Sequence, residues 1–186
     1  MKNIPIIYDR QFIMRQITMD DYMDYYFIGL SKDNTRYLTW GPFENVLQAQ
    51  IMLENFYLNR PVEEAPAFAI EYSKSKEVIG MIEFHSYNKT LNQAEVGFIL
   101  REDFHHRGIM TKALGYLLEY GFHTLNLDKV LIGHVDLNLD SKHLILKFPF
   151  HYEFTKHCAF RTKDTFELRN VIYYSLYKDE YERSNI

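Results

Sequence analysis

The chain has 186 residues, 47% of them hydrophobic and 25% charged, and its 21 basic and 25 acidic side chains leave a net charge of −4. That length suits one well-buried core and is short for two, so a single domain over residues 1–186 is expected. No block of Lys and Arg and no run of about 18 apolar residues occurs, which argues against a nucleic-acid partner and against a membrane-spanning helix. Cys158 is the one cysteine, so no internal disulfide is available. The opening residues 1–7 lack the sustained apolar stretch of a secretory leader, and a cytoplasmic location is expected.

In chain order, residues 11–17 read as a short strand. Thr18, followed three residues later by Asp21, has the form of a helix start, and the helix runs to about Leu30. A loop with Trp40-Gly41-Pro42 leads to a second helix over 44–58, with Val46, Leu47, Ile51, Leu53 and Phe56 as its apolar set. Residues 60–66 read as a loop. Strands over 67–72, 78–87 and 94–100 follow, separated by Ser73-Lys74-Ser75-Lys76 and by residues 88–92, both rich in turn formers. Met110, Ala113, Leu114, Leu117, Leu118 and Phe122 then fall at helical spacing, placing a helix over 107–124. A strand over 130–135, a short helix over 141–147 stopped by Pro149, and strands over 150–160 and 171–177 complete the chain. The sum is an α+β protein with an antiparallel meander in its middle.

Chemistry concentrates where the strand ending at Leu100 passes through a polar loop into the helix opening near Arg107-Gly108. The first amides of a helix have no backbone acceptor and carry the positive end of its dipole, so together they suit a pyrophosphate. Gly108 lets the backbone approach such a group, and Arg107, His105 and His106 add positive charge beside it. A helix start with one glycine is common, and this spacing alone leaves phosphate binding and a plain helix start both open.

The ordered series of segments resembles the GNAT superfamily of acyl-CoA N-acyltransferases. Within it the similarity is to the branch holding ribosomal-protein N-terminal acetyltransferases and bacterial spermidine N-acetyltransferases. Residues 14–21 resemble the branch's opening strand and first helix, and Arg36-Tyr37-Leu38-Thr39-Trp40-Gly41-Pro42 resembles its Trp/Pro segment. Val78-Ile79-Gly80-Met81-Ile82 and Ala94-Glu95-Val96-Gly97-Phe98 resemble its third and fourth strands. His105-His106-Arg107-Gly108-Ile109-Met110 stands at the pyrophosphate loop, with His105 in place of Gln or Arg and Met110 in place of a small residue. Asn138-Leu139-Asp140-Ser141 fits an N-x-x-S pattern, Lys147-Phe148-Pro149-Phe150 takes the place of K-L-G-F, and residues 174–181 resemble the closing strand and tail.

The resemblance implies a mostly antiparallel sheet of about seven strands, splayed between the family's strands four and five, with about four flanking helices. It implies acetyl-CoA as cosubstrate, with Phe98, Ile99 and Leu100 against pantetheine. His105, His106, Arg107, Gly108, Ile109, Met110 and Thr111 would meet the pyrophosphate, and Asn138 and Ser141 the thiol end. The reaction implied is direct attack of a primary amine on the thioester, the acceptor being a protein N-terminus, a polyamine or another small amine. Glu95 is the leading base and Glu83 the reserve; a solvent-facing Glu95 is the competing reading. For the proton that the thiolate takes up, Ser141, a water and unaided departure are all open, because the position that carries a Tyr in many relatives is Ile145. Met110 and Ile145 also motivate an alternative, a catalytically degenerate CoA-binding or protein-interaction module. His105 and His106 diverge as neighbours, and His151 and His157 lie six apart, so no metal site is expected. Both a monomer and a homodimer fit the sequence.

Overall fold

The computed structural model describes residues 4–59 and 67–184; the expected loop over 60–66 lies outside the described residues. The strands are β1 (Ile7–Tyr8), β2 (Phe12–Gln16), β3 (Phe68–Tyr72), β4 (Val78–Asn88), β5 (Gln93–Leu100), β6 (Lys129–Val135), β7 (His151–Arg161) and β8 (Leu168–Tyr177). The helices are α1 (Tyr22–Leu30), α2 (Val46–Leu53), α3 (Ile109–Glu119), α4 (Leu139–Ile145) and α5 (Lys178–Arg183). The strands order as β1-β2-β3-β4-β5-β6-β8-β7 in one sheet. The pairs β1–β2, β2–β3, β3–β4, β6–β8 and β7–β8 are antiparallel, and β5–β6 is parallel.

The expected architecture is thus present, with eight strands rather than about seven and five helices rather than four. The additional strand, β1, is two residues long and too short to display a period. The additional helix, α5, has Tyr181 as its buried residue, so it carries no apolar stripe. Helices α2 and α3 each pass at their C-terminal end into one wider turn, Glu54–Leu58 and Tyr120–Thr124. These turns complete the longer helical runs expected from periodicity. Among the described residues no helix is long and apolar enough to cross a membrane.

The chain divides into two compact units. One comprises Met1–Phe84 with Gly97–Leu114, the other His85–Val96 with Gly115–Ile186. In the first, Tyr25, Ile28, Leu53, Ala69 and Val78 are fully buried around an aromatic group. There the Tyr25 ring meets Trp40, Phe43 and Tyr57 at 5.4, 5.2 and 5.7 Å. The first helix is set by a charge cluster. Asp21 accepts from the Thr18 amide at 2.8 Å, the capping arrangement expected from sequence. Arg15 of β2 grips both Asp21 oxygens, at 2.9 and 2.7 Å, and reaches Glu71 of β3 at 2.7 Å. Burial alone pushes the Asp21 carboxyl up, but the hydrogen bonds from Arg15 and Thr18 outweigh it and hold Asp21 below its ordinary range. In the second unit, Phe122, Val130, Ile132 and Leu176 are fully buried. Ser175, also fully buried, donates to Glu153 at 2.6 Å and meets His151 Nε2 at 2.9 Å.

Arg15→Leu leaves the buried Asp21 without its counter-charge and is expected to cost about 2–3 kcal/mol in urea unfolding. A carboxylate depressed in the folded state stabilises above its unfolded pKa and loses that contribution as pH falls through its folded value. The deficit of Arg15→Leu against wild type should therefore be full at neutral pH and shrink in acid.

Candidate active site

The chain leaves β5 at Leu100 and is tied at once: the Arg101 amide donates to Ile79 O of β4 at 2.8 Å. Gly80 makes this approach possible, because a Cβ there would stand 2.6 Å from Ile99 O and 2.9 Å from Leu100 Cδ1. A single tight turn, Glu102–Phe104, follows. Phe104 is buried and lies under two guanidinium groups, those of Arg101 and Arg107, each 4.8 Å from the ring centre. Arg101 also pairs with Asp103 at 2.7 Å, and this bond holds the Asp103 carboxyl below its ordinary range. Arg107 donates to Asp103 O at 2.6 Å, and His105 Nε2 sits 2.8 Å from Leu100 O, where it serves as the donor. These ties order a loop that is polar and largely exposed.

Two left-handed residues then turn the chain into α3: His106 at φ +59° and Gly108 at φ +75°. No atom lies within 4 Å of where a Gly108 Cβ would be, so open space faces the backbone at the head of the helix. The glycine is required by its backbone angle, and it leaves the approach to the first amides of α3 clear. Helical bonding begins with the Lys112 amide donating to Gly108 O at 3.1 Å. Ile109 and Met110 are buried, at 1% and 8% exposure, so what they present at this end is main chain. Met110 is thus largely withdrawn from solvent, as Ile109 is. Ile99 and Leu100 are likewise buried, Phe98 is half-buried, and His106 and Arg107 are exposed. An eleven-residue helix with its head open, and with Arg107 and His106 beside it, fits a phosphorylated ligand.

Glu95 stands earlier on β5. The parallel register pairs Gln93 with Lys129 and continues to Val96 with Ile132, and β5 then runs four residues further. Glu95 lies opposite Leu131 and is half-buried, not solvent-facing. Desolvation raises its pKa above the ordinary carboxyl value; the Lys156 charge and a hydrogen bond from Tyr173 oppose the rise without cancelling it. The Tyr173 ring lies against Gly133, its cross-strand partner, where a Cβ would stand 3.0–3.2 Å from ring atoms. Glu83, the reserve base, sits on β4 and acts electrostatically on Tyr25.

Asn138 caps α4, with its Oδ1 accepting from the Ser141 amide at 3.1 Å. This is the helix-cap role that an Asn before a Ser also suggests. Ile145 is fully buried, and its aliphatic side chain has no proton to give. Among Tyr22, Tyr25, Tyr26, Tyr37 and Trp40, aromatic residues of α1 and the loop after it, Tyr25 is core and the other four are half-buried. Tyr173 and Lys156 were not legible as site residues. They lie on β8 and β7, and only the lateral order of the sheet brings them to Glu95.

The profile of the acetyltransferase (GNAT) domain family matches residues 11–151. The chain belongs to the GNAT acetyltransferase family. It is 29% identical to the uncharacterized N-acetyltransferase YoaA of Bacillus subtilis, across 80% of this chain and 84% of the relative. The spermidine N-acetyltransferase of Vibrio cholerae, solved in complex with CoA and spermine, superposes with a TM-score of 0.80 at 20% identity, covering 94% of this chain and 99% of that one. A GNAT acetyltransferase of Bacillus anthracis superposes at 0.79 with 18% identity, covering 95% and 100%. These structural likenesses are likenesses of fold.

An alanine at 108 must adopt the same left-handed angle. Gly108→Ala is expected to lower unfolding free energy by about 1 kcal/mol without local clash, read by urea titration.

Proposed function

We propose that the chain transfers the acetyl group of acetyl-CoA to a primary amine by direct attack in a ternary complex. The observation that carries this reading is the half-buried Glu95, whose proton affinity is raised by desolvation, on the same strand that leads into the open-headed helix. When bound, acetyl-CoA supplies an activated acetyl thioester. The amides of residues 108–111 and the charge of Arg107 bind and orient its pyrophosphate, and the main chain of Phe98, Ile99 and Leu100 lies along its pantetheine arm in the manner of an added strand. A main-chain amide near Phe98 or Ile99 donates to the oxygen that becomes negative. Glu95 takes the amine proton at its carboxylate, directly or through a water.

Burial suits this task. A carboxylate at its ordinary pKa is too weak a base for an ammonium, and the upward shift brings it nearer working pH. The acceptor class rests on the net charge of −4 and on the aromatic residues of α1 and the loop that follows it, which favour a cationic amine such as a polyamine over an acidic one. The chain acts as one domain in the cytoplasm on this reading. Ser141 is assigned by resemblance to hold a proton at Oγ near the reacting atoms.

Thiol release from acetyl-CoA with a panel of polyamines, peptide N-termini and small amines tests the reading. Turnover with at least one amine class is expected. Stabilisation by acetyl-CoA with no turnover on any amine would make the chain a binding module instead. Glu95→Gln should lower kcat by about 100-fold or more and leave the acetyl-CoA-dependent rise in Tm intact. The same substitution has a sign in stability. A carboxyl whose folded pKa is raised binds protons more tightly when folded, so its ionised form costs stability as pH rises through that range. Glu95→Gln is therefore expected to melt above wild type at neutral pH, and no higher than wild type in acid.

A further inference from the structure

The sheet brings a lysine and a tyrosine to Glu95 from two strands that the reaction as described does not use. Tyr173 of β8 pairs across the ladder with Gly133 of β6, and the missing side chain at 133 lets the phenol ring lie flat over that strand. Its hydroxyl then reaches Glu95 on β5, one strand beyond. From the other side, Lys156 of β7 places Nζ 3.4 Å from the Tyr173 hydroxyl and 4.6 Å from its ring centre. Phe154 stacks on the same ring at 4.7 Å and 21°, closing it against β7. The ring is held on three sides: by a glycine beneath, an aromatic beside it and an ammonium at its tip.

We infer that Tyr173, fixed by Lys156, is a positioning residue for Glu95: its hydroxyl donates to the carboxylate and holds it in one rotamer, with the Lys156 ammonium beside that hydroxyl. This rests on the reading of Glu95 as the base. The Lys156 charge and the Tyr173 hydrogen bond both favour the ionised carboxylate, against the desolvation that favours its protonated form. Among the described residues, the groups acting on Glu95 are Lys156 and Tyr173, and those acting on Tyr173 are Glu95 and Lys156. Strand β6 offers Lys129, Leu131 and Gly133 to this face, and Lys129, opposite Gln93, is paired with Glu153 of β7. Burial and the Glu95 charge both raise the phenol's own pKa, so Tyr173 stays protonated and remains a donor.

The Glu95 carboxyl is followed by carbon-13 NMR in the protein without cofactor, in wild type, Lys156→Met and Tyr173→Phe, and in Lys178→Met as a remote control. The Lys156 variant should move the Glu95 midpoint upward by roughly one pH unit, the Tyr173 variant in the same direction by less, and the control not at all. In turnover, the acid limb of kcat/KM should move by the same amounts. Midpoints that coincide with wild type in both variants would overturn the inference. Glu95→Gln separates it from the reading beneath it: full turnover in that variant removes Glu95 as base, whatever the NMR midpoints do. Tyr173→Phe keeps the ring over Gly133, so its Tm should stay near wild type while its midpoint moves.

Discussion

The parallel ladder between β5 and β6 decides which side chains can share a face with Glu95. Its register places Glu95 beside Leu131, and the antiparallel β6–β8 ladder then places Gly133 beside Tyr173. In a pleated sheet every second residue shares a face, so a one-residue slip would turn Glu95 away from the phenol. The glycine is the enabling detail. Any side chain at 133 would occupy the space the Tyr173 ring uses. A desolvated carboxylate, a hydroxyl and an ammonium thus converge without one being a sequence neighbour of another.

The same strand carries the chain onward to a second device of a different physical kind. After Leu100 the backbone is anchored to β4 by one hydrogen bond at Arg101, passes a tight turn over the buried Phe104, and changes hand at His106 and Gly108. What this presents is main chain rather than side chain: the first amides of an eleven-residue helix. Arg107 stands beside them but is tethered to Asp103 O and stacked on Phe104, so its charge is held near the loop. Electrostatic binding at this point comes from fixed dipoles with one ordered cation, an arrangement that needs little reorganisation when a ligand arrives.

Stability and chemistry draw on charge in opposite ways in this chain. Arg15, Asp21 and Glu71 form a satisfied cluster that anchors the first helix, and there the buried carboxyl is held low. Glu95 is held high, because the donors around it only partly offset desolvation. A buried and a half-buried acid are pushed in opposite directions by how completely each is paired.

Much of the fold was legible in sequence. The Thr18–Asp21 start of the first helix, the three-strand meander and the helix after Gly108 follow from local spacing, because periodicity and capping are short-range constraints. Family membership came from the order of segments, and the matching region covers residues 11–151. A two-residue β1 and the polar α5 escaped, since neither carries a pattern of its own. At the candidate site, sequence pointed to Glu95 and the Gly108 turn, whose chemistry is carried by neighbours along the chain. It could not point to Tyr173 or Lys156, or show that Met110 is buried, since these depend on which strands lie side by side and which face is buried. Strand order is a long-range property, decided only when the sheet assembles.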